Sequence, residues 1–362
     1  MGSSKSISFL LARIIIVLFC VLLISGFLYS PYLINLYNTK EHLTVYTWVD
    51  IFDLNDIAEF EKQTNTKIKL VYYDNCEELV TKLEISKGRG YDLLLLADCN
   101  ICDLIRMDLL APLDKSQLNF WQEIKPQLLN RSYDPENVYS VPFSWDVYGI
   151  GVNIEKFHNQ VPDNSWSLVF DRNIAKPNIG MMEDGLSSVA IAAQYLYGDL
   201  QTIDQFKLSE IKNLLTDQKN IVEVYTAIRG DYLLSSRSSP AVVSQAACIY
   251  RAMMNDDKIK FLIPKEGGFI STENFVILKA SCKQLLAYQF INFMNQKERV
   301  KKYVERTLFL PARQDVLQEI NLDYFGGRDT LLDDANFKKI AYFKYVVPRH
   351  EITKLWIEVK AS

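Results

Sequence analysis

Cys99-Asn-Ile-Cys102 is the most chemically suggestive spacing in this chain of 362 residues. A C-x-x-C pair at a strand-to-helix junction puts a thiol near a helix N-terminus, which lowers its pKa and suits thiol-redox chemistry. A zinc site would need two more ligands, and no second C-x-x-C exists in the sequence. Glu183 and Asp184 form an adjacent carboxylate pair, but paired acids at a helix start ordinarily complement the helix dipole. The three histidines, His42, His158 and His350, are far apart in sequence, which excludes an HExxH helix or a His-rich metal site. None has a nucleophile motif beside it, so no Ser/His/Asp triad can be argued. Gly267 and Gly268 suit a phosphate loop, but no helix opening on GK[ST] follows, and the pair reads as a turn. No catalytic residue, cofactor or metal is assigned, and an enzyme is the weaker class.

Six cysteines in all do not make a small secreted disulfide scaffold in a chain of this length. Forty basic and forty-four acidic residues give a net charge of −4, which argues against nucleic acid as the main partner. Half the chain is hydrophobic (49%) and 23% is charged, so disorder is excluded. The length suits roughly two domains.

One segment departs from this average. Ile14 to Leu36 contains no charged residue, and 23 residues of helix span ~35 Å, enough for a hydrocarbon core of about 30 Å. Lys5 and Arg13 precede it and no acid occurs in residues 1–36, which places the N-terminus in the cytoplasm and the remainder outside. The long run and the exit GFLYSPYL, with no small-x-small site, read as an uncleaved signal anchor rather than a cleaved signal peptide. Cys20 follows Phe19 in mid-run, which makes it a poor lipidation site. Without the head, 38 basic and 44 acidic residues leave −6 on the exported part, compatible with a cationic ligand.

Beyond the anchor, strands and helices alternate. HLTVYTW (42–48), KIKLVYY (67–73) and YDLLLLA (91–97) read as strands, each followed by an amphipathic helical pattern, with Asp53 and Asn75 as N-cap candidates. YDLLLLA is almost purely apolar, as a strand buried on both faces must be. This β-α-β-α-β-α order predicts a parallel sheet with helices on both faces. From Tyr139 to Asn153 the chain is extended, interrupted by Pro142, Gly149 and Gly151. A second α/β series follows: PNIGMM (177–182), helices through 190–196 and 211–215, and strands at 221–226, 258–264 and 273–278. Helical periodicity then runs from about Gln284 to Arg306. The whole predicts two α/β lobes joined by extended segments, with ligand at the carboxyl ends of strands or between lobes.

VYTWVDIFDLNDIAEFEKQTNTKI, YDLLLL, LAPLDKSQL, YDPENVYSVPFSWDVYGIGVN and PKEGG, in this order and spacing, resemble the spermidine/putrescine-binding proteins of bacterial ABC transporters. The similarity runs from about Leu43 to Asn295, more weakly to Pro311. It implies a two-lobed periplasmic-binding-protein fold with a hinge crossed more than once, near Val147–Tyr148, near Thr272–Glu273 and near Gln318. The implied division is a tip and anchor (1–40), a first lobe (41–147 and 273–317) and a second (148–272 and 318–362).

Such a protein closes around its ligand and delivers it to a permease served by an ATPase. A polyamine needs carboxylates for its nitrogens and aromatic walls for its methylenes. By motif position, Trp48 corresponds to an aromatic wall, Asp50 to a nearby acid and Asp184 to an amine-binding aspartate. Glu273 takes an aspartate position, and Phe309 stands where a tyrosine is usual. The chain also departs from the family. Ile51 replaces a cage tyrosine, Ala97 and Cys99 replace a serine and a tyrosine, Ser187 replaces a glutamate, and Ser244 and Ser271 replace clamping tryptophans. Asp98 or Phe52 is placed to compensate, whereas Trp145 and Tyr148 read as packing of the inter-lobe segment.

The expectation is therefore an extracytoplasmic, membrane-anchored solute-binding subunit for a polyamine or related small cation. Its candidate ligand residues are Trp48, Asp50, Asp98, Cys99, Asp184, Ser187, Ser244, Ser271, Glu273 and Phe309. The alternatives are a sensor or adhesion protein with another ligand, and a thiol-redox protein using Cys99 and Cys102.

Overall fold

The computed structural model describes residues 18, 19, 21–26, 29, 41–73, 76–198, 200, 203–226, 229–320 and 340–362. Most of the predicted 14–36 span, the Asn75 cap, and residues 321–339 of the segment expected after Gln318 lie outside these. Among the described residues no helix is long and apolar enough to cross a membrane.

The first α/β series forms as its residues dictate. Strand β1 spans His42–Thr47, β2 Lys67–Tyr72 and β3 Leu93–Ala97. The helix Leu54–Thr64 starts at Asp53, whose side chain accepts from the Asn55 amide at 2.8 Å. The four leucines of β3 divide between two cores. Leu93 and Leu95 join a cluster with Phe60, Phe143 and Phe290, while Leu94 and Leu96 join Leu79, Leu83 and Leu104 on the other face. Burial of both faces is why this strand carries no polar alternation, each leucine contributing roughly 1.5–3 kcal/mol.

Strand β4 runs without a break over Ser140–Asn153. Pro142, which lacks an N–H, falls at a register shift between Pro142 and Ser144 rather than ending the strand. Gly149 and Gly151 do not interrupt it either. They admit close neighbours: a Cβ at Gly149 would lie 2.4 Å from the Leu262 carbonyl oxygen, and one at Gly151 2.5 Å from Ile249 Cδ1. The second series supplies β5 (Ile179–Met181), β6 (Val222–Tyr225), β7 (Ala241–Gln245) and β8 (Ile259–Leu262). Long β9 (Phe269–Ile277) and the two-residue β10 (Leu310–Pro311) and β11 (Ala341–Tyr342) complete the set.

Among the described residues these strands join in one sheet, ordered β2-β1-β3-β9-β4-β7-β5-β6, with β8 and β10 on β4 and β11 on β9. The first series is parallel, as its strand–helix alternation predicts, but the sheet as a whole is mixed. β2, β1 and β3 are mutually parallel, as are β7, β5 and β6, but β9 is antiparallel to both β3 and β4, and β4 to β7. The two long strands link the halves by returning through the middle, which the local pattern does not reveal.

Strand β4 also changes cores along its length. Val141, Phe143, Trp145 and Val147 belong to the first cluster, Ile150 and Val152 to a second one with Ile179, Met181, Ile191 and Ile211. The C-terminal helix Arg349–Ala361 adds Ile352, Leu355 and Val359 to that second core. The helical run expected from Gln284 to Arg306 is two helices, Gln284–Met294 and Lys297–Thr307. Asn295 Nδ2 donates back to the Ile291 carbonyl at 2.8 Å, and the Arg313 guanidinium donates to the Asn295 carbonyl at 2.5 Å, ending the first helix.

Candidate functional site

Carboxyl ends of strands from both halves approach the crossing strands β4 and β9. Trp48 follows β1, Asp98 follows β3, and Glu183 and Asp184 follow β5 closely. On β9, Glu273 lies opposite Ala97 of β3 and Ser144 of β4, and Ser271 lies opposite Asp146. This is where α/β sheets place ligands.

Several candidate residues meet here. The half-buried indole of Trp48 donates from Nε1 to Glu273 Oε2 at 3.3 Å and stacks obliquely on Tyr73, ring centroids 4.3 Å apart. Burial pushes the Glu273 carboxyl up to about 7, with the Trp48 hydrogen bond acting in the opposite direction. Asp98 is 1% exposed, and the Ser271 hydroxyl donates to its Oδ1 at 3.5 Å, while Oδ2 has no hydrogen-bond partner. Burial drives the Asp98 carboxyl well above the usual carboxylate range, and the neighbouring Glu273 raises it further; the amides of Thr272 and Cys99 and the Ser271 hydroxyl pull the other way.

Asp184 is exposed and is the N-cap of the helix Gly185–Tyr197, accepting from the Ser187 amide at 2.7 Å. Its helix-capping reading is therefore realised, and the buried Ser187 serves it through the backbone. Asp184 also faces the phenol of Tyr148. Burial first, then Asp184, Glu273, Asp146 and Cys99 in turn, raise the Tyr148 hydroxyl well above 10. Three carboxyls and a thiol, one carboxyl from its own strand and the others from distant segments, thus act on one tyrosine.

Three candidates stand apart from these contacts. Asp50 is exposed on a left-handed backbone (φ 61°), and its tie to the fold is a carbonyl that accepts from Arg306. Ser244 is buried near the end of β7, packed on Gly230, where a Cβ would come 2.6 Å from its hydroxyl. Phe309 packs against the first core, its amide donating to Thr307 Oγ1 at 3.2 Å.

The cysteines do not behave as a redox pair. None of Cys99, Cys102, Cys248 and Cys282 forms a disulfide. Cys102 donates to the Tyr133 carbonyl at 3.4 Å, and burial raises its thiol pKa, opposite to the lowering that a helix N-terminus was expected to provide. Cys99 is half-buried and packs against the second core, with Asn100 Nδ2 donating to its sulfur at 3.2 Å. Among the described residues no three His, Cys, Asp or Glu side chains gather to hold a metal ion.

Residues assigned to packing, or not singled out at all, also reach the site. Tyr148, assigned to packing, stands among the acids. Asp146 is buried and takes the Ala247 amide at 2.7 Å, capping the helix Ala246–Met253. Tyr133 and Tyr342 lie together, centroids 5.8 Å apart, and both feel the charge of Asp98. The alternation of β4 contains the signal for Asp146 and Tyr148. Nothing local marks Tyr342, which arrives on a two-residue strand from the far end of the chain.

The arrangement brings together buried carboxyls and aromatic faces, a composition suited to holding a cation and orienting an alkyl chain. Known proteins resemble this chain. The chain is 27% identical over 285 residues to a putrescine/agmatine-binding protein of Pseudomonas aeruginosa, covering 74% of this chain and 77% of the relative. It is 25% identical over 309 residues to a putrescine-binding periplasmic protein of Escherichia coli, covering 81% and 83%. A solved putative spermidine/putrescine ABC transporter protein from Listeria monocytogenes superposes with a TM-score of 0.79 at 23% identity, covering 89% of this chain and 99% of that one. The fold is thus the α/β periplasmic-binding-protein fold. The sequence profile of the bacterial extracellular solute-binding proteins matches residues 57–324, and the chain belongs to that family.

Proposed function

We propose that this protein captures a polyamine, putrescine or spermidine, as the extracytoplasmic solute-binding subunit of an ABC importer. The observation that carries the reading is the convergence of Asp146, Asp184 and Glu273 on Tyr148, with buried Asp98 beside Glu273 and the Trp48 indole bound to Glu273. A flexible dication needs carboxylates at its ends and rings along its methylenes, and this set supplies both. The names of the curated relatives point the same way.

On this reading the two core regions are lobes, 41–147 with 273–317 and 148–272 with 318–362. They close on the ligand about β4 and β9, and the closed form docks on a permease coupled to an ATPase. Residues 14–36 hold it at the inner membrane, supported by their uncharged length and the basic residues before them. Trp48, Asp98, Asp184 and Glu273 form the centre of the site. Cys99, Ser187 and Ser271 line it, and Asp50, Ser244 and Phe309 are peripheral. The protein performs no covalent chemistry.

Titration calorimetry of the full chain with putrescine, spermidine and a panel of amino acids tests the reading. Heat of binding with a polyamine is expected; its absence with both ends the polyamine assignment.

A further inference from the structure

Asp98 has no counterpart among the ligand positions that the sequence resemblance assigns, yet it is as deeply buried as Asp146, at 1% exposure. It follows β3 directly, and Glu273 lies one residue away in the β3–β9 register, opposite Ala97. One Asp98 oxygen takes the Ser271 hydroxyl; the other is buried and unpartnered, an acceptor or a protonated donor that nothing in the fold satisfies. Glu273 is likewise desolvated, with Trp48 as its hydrogen-bond donor. Two carboxyls this close in a dry setting do not both ionise cheaply without a cation.

We infer that Asp98 and Glu273 form a coupled carboxyl pair that receives one ammonium end of the ligand and releases protons as it binds. The inference rests on the polyamine reading and deepens it. The surroundings agree. Ser271 on β9 donates to Asp98, and Tyr148 on β4 feels the charge of Glu273 together with those of Asp146 and Asp184. On its own turn and the following helix Asp98 faces Cys99 and Cys102. Tyr133 and Tyr342 close the remaining side, and Arg131, over the Tyr342 ring at 5.3 Å, is a cation there that lowers both phenols. Tyr303 stands behind Glu273. Apart from Arg131, the charged groups named here are acids, so ionisation of the pair awaits an incoming ammonium. The free carboxyls are held up by burial and, for Asp98, by Glu273 as well. Primary alkylamines, with a lysine-like pKa of about 10.4, stay charged throughout the window where the pair titrates.

The test is calorimetry of the full-length chain with putrescine at pH 6.5, in phosphate and in imidazole, buffers of very different ionisation enthalpy. The apparent heat should differ between them by the equivalent of about one proton or more released per ligand, and the affinity should rise about tenfold from pH 5.5 to 6.5. D98N and E273Q should each reduce the proton count, whatever they do to affinity. Binding with equal heat in both buffers and no pH slope would overturn the coupling while leaving the polyamine reading intact. No binding of putrescine or spermidine up to pH 8 would remove that reading, and this inference with it.

Discussion

The indole N–H of Trp48 and the carboxyl of Glu273, 225 residues apart in sequence, meet at 3.3 Å where the end of β1 faces the middle of β9. The donor lowers the Glu273 pKa and burial raises it more, leaving it at about 7. Replacing Trp48 by Phe keeps a ring and removes the donor. Glu273 should then titrate higher still, and the pH dependence of melting in the ligand-free protein should shift upward. An unchanged profile would show that the bond has no influence on Glu273.

Glu273 itself makes stability depend on pH. Its folded pKa lies above the unfolded value of about 4.5, so the folded state retains the proton longer. The associated stability is fully present below about 4.5 and is lost as the pH rises through 7, by roughly 3 kcal/mol at most. E273Q fixes the neutral form. The ligand-free variant should therefore melt above the parent at pH 8 and converge with it at pH 4.5, while binding polyamine more weakly. A melting difference independent of pH would refute this account.

At Asp184 two roles separate by choice of substitution. D184N keeps an N-cap acceptor for the Ser187 amide and loses the charge, so a cation should bind more weakly with little change in melting. D184A removes both and should cost about 1 kcal/mol of stability in addition. Equal polyamine affinity in D184N and the parent would place Asp184 outside the ligand contacts.

The thiols are predicted to differ in alkylation. Cys282 is exposed, whereas Cys102 is half-buried with a raised pKa and a carbonyl partner. Iodoacetamide at pH 8 should label Cys282 first and Cys102 slowly, by peptide mapping. Fast labelling of Cys102 would revive a redox role. Likewise, C99S/C102S should retain polyamine binding.

Gly185 opens its helix against the C-terminal helix, with a Cβ there only 2.9 Å from Trp356 Cβ and Cγ. G185A should push Trp356 away and cost about 1–3 kcal/mol, read as a lowered melting temperature. An unchanged melting temperature would mean that the C-terminal helix is loosely held.

Much of the architecture is written locally. The apolar run of Leu93–Leu96, the Asp53 cap and the extended stretch around Trp145 follow from side-chain pattern, because short-range periodicity and capping decide such elements. The residues Asp98 and Glu273 can be named from their places at strand ends and in motifs. What the sequence by itself does not contain is strand direction: β9 reads as an ordinary strand, and only the assembled sheet shows it returning antiparallel between β3 and β4. That return brings Glu273 beside Asp98 and Trp48, desolvates both acids and sets their proton affinity. It also brings Tyr342 from residues far down the chain. Pattern determines which elements form; the low dielectric and the neighbours that change a carboxyl's chemistry exist only once distant segments pack.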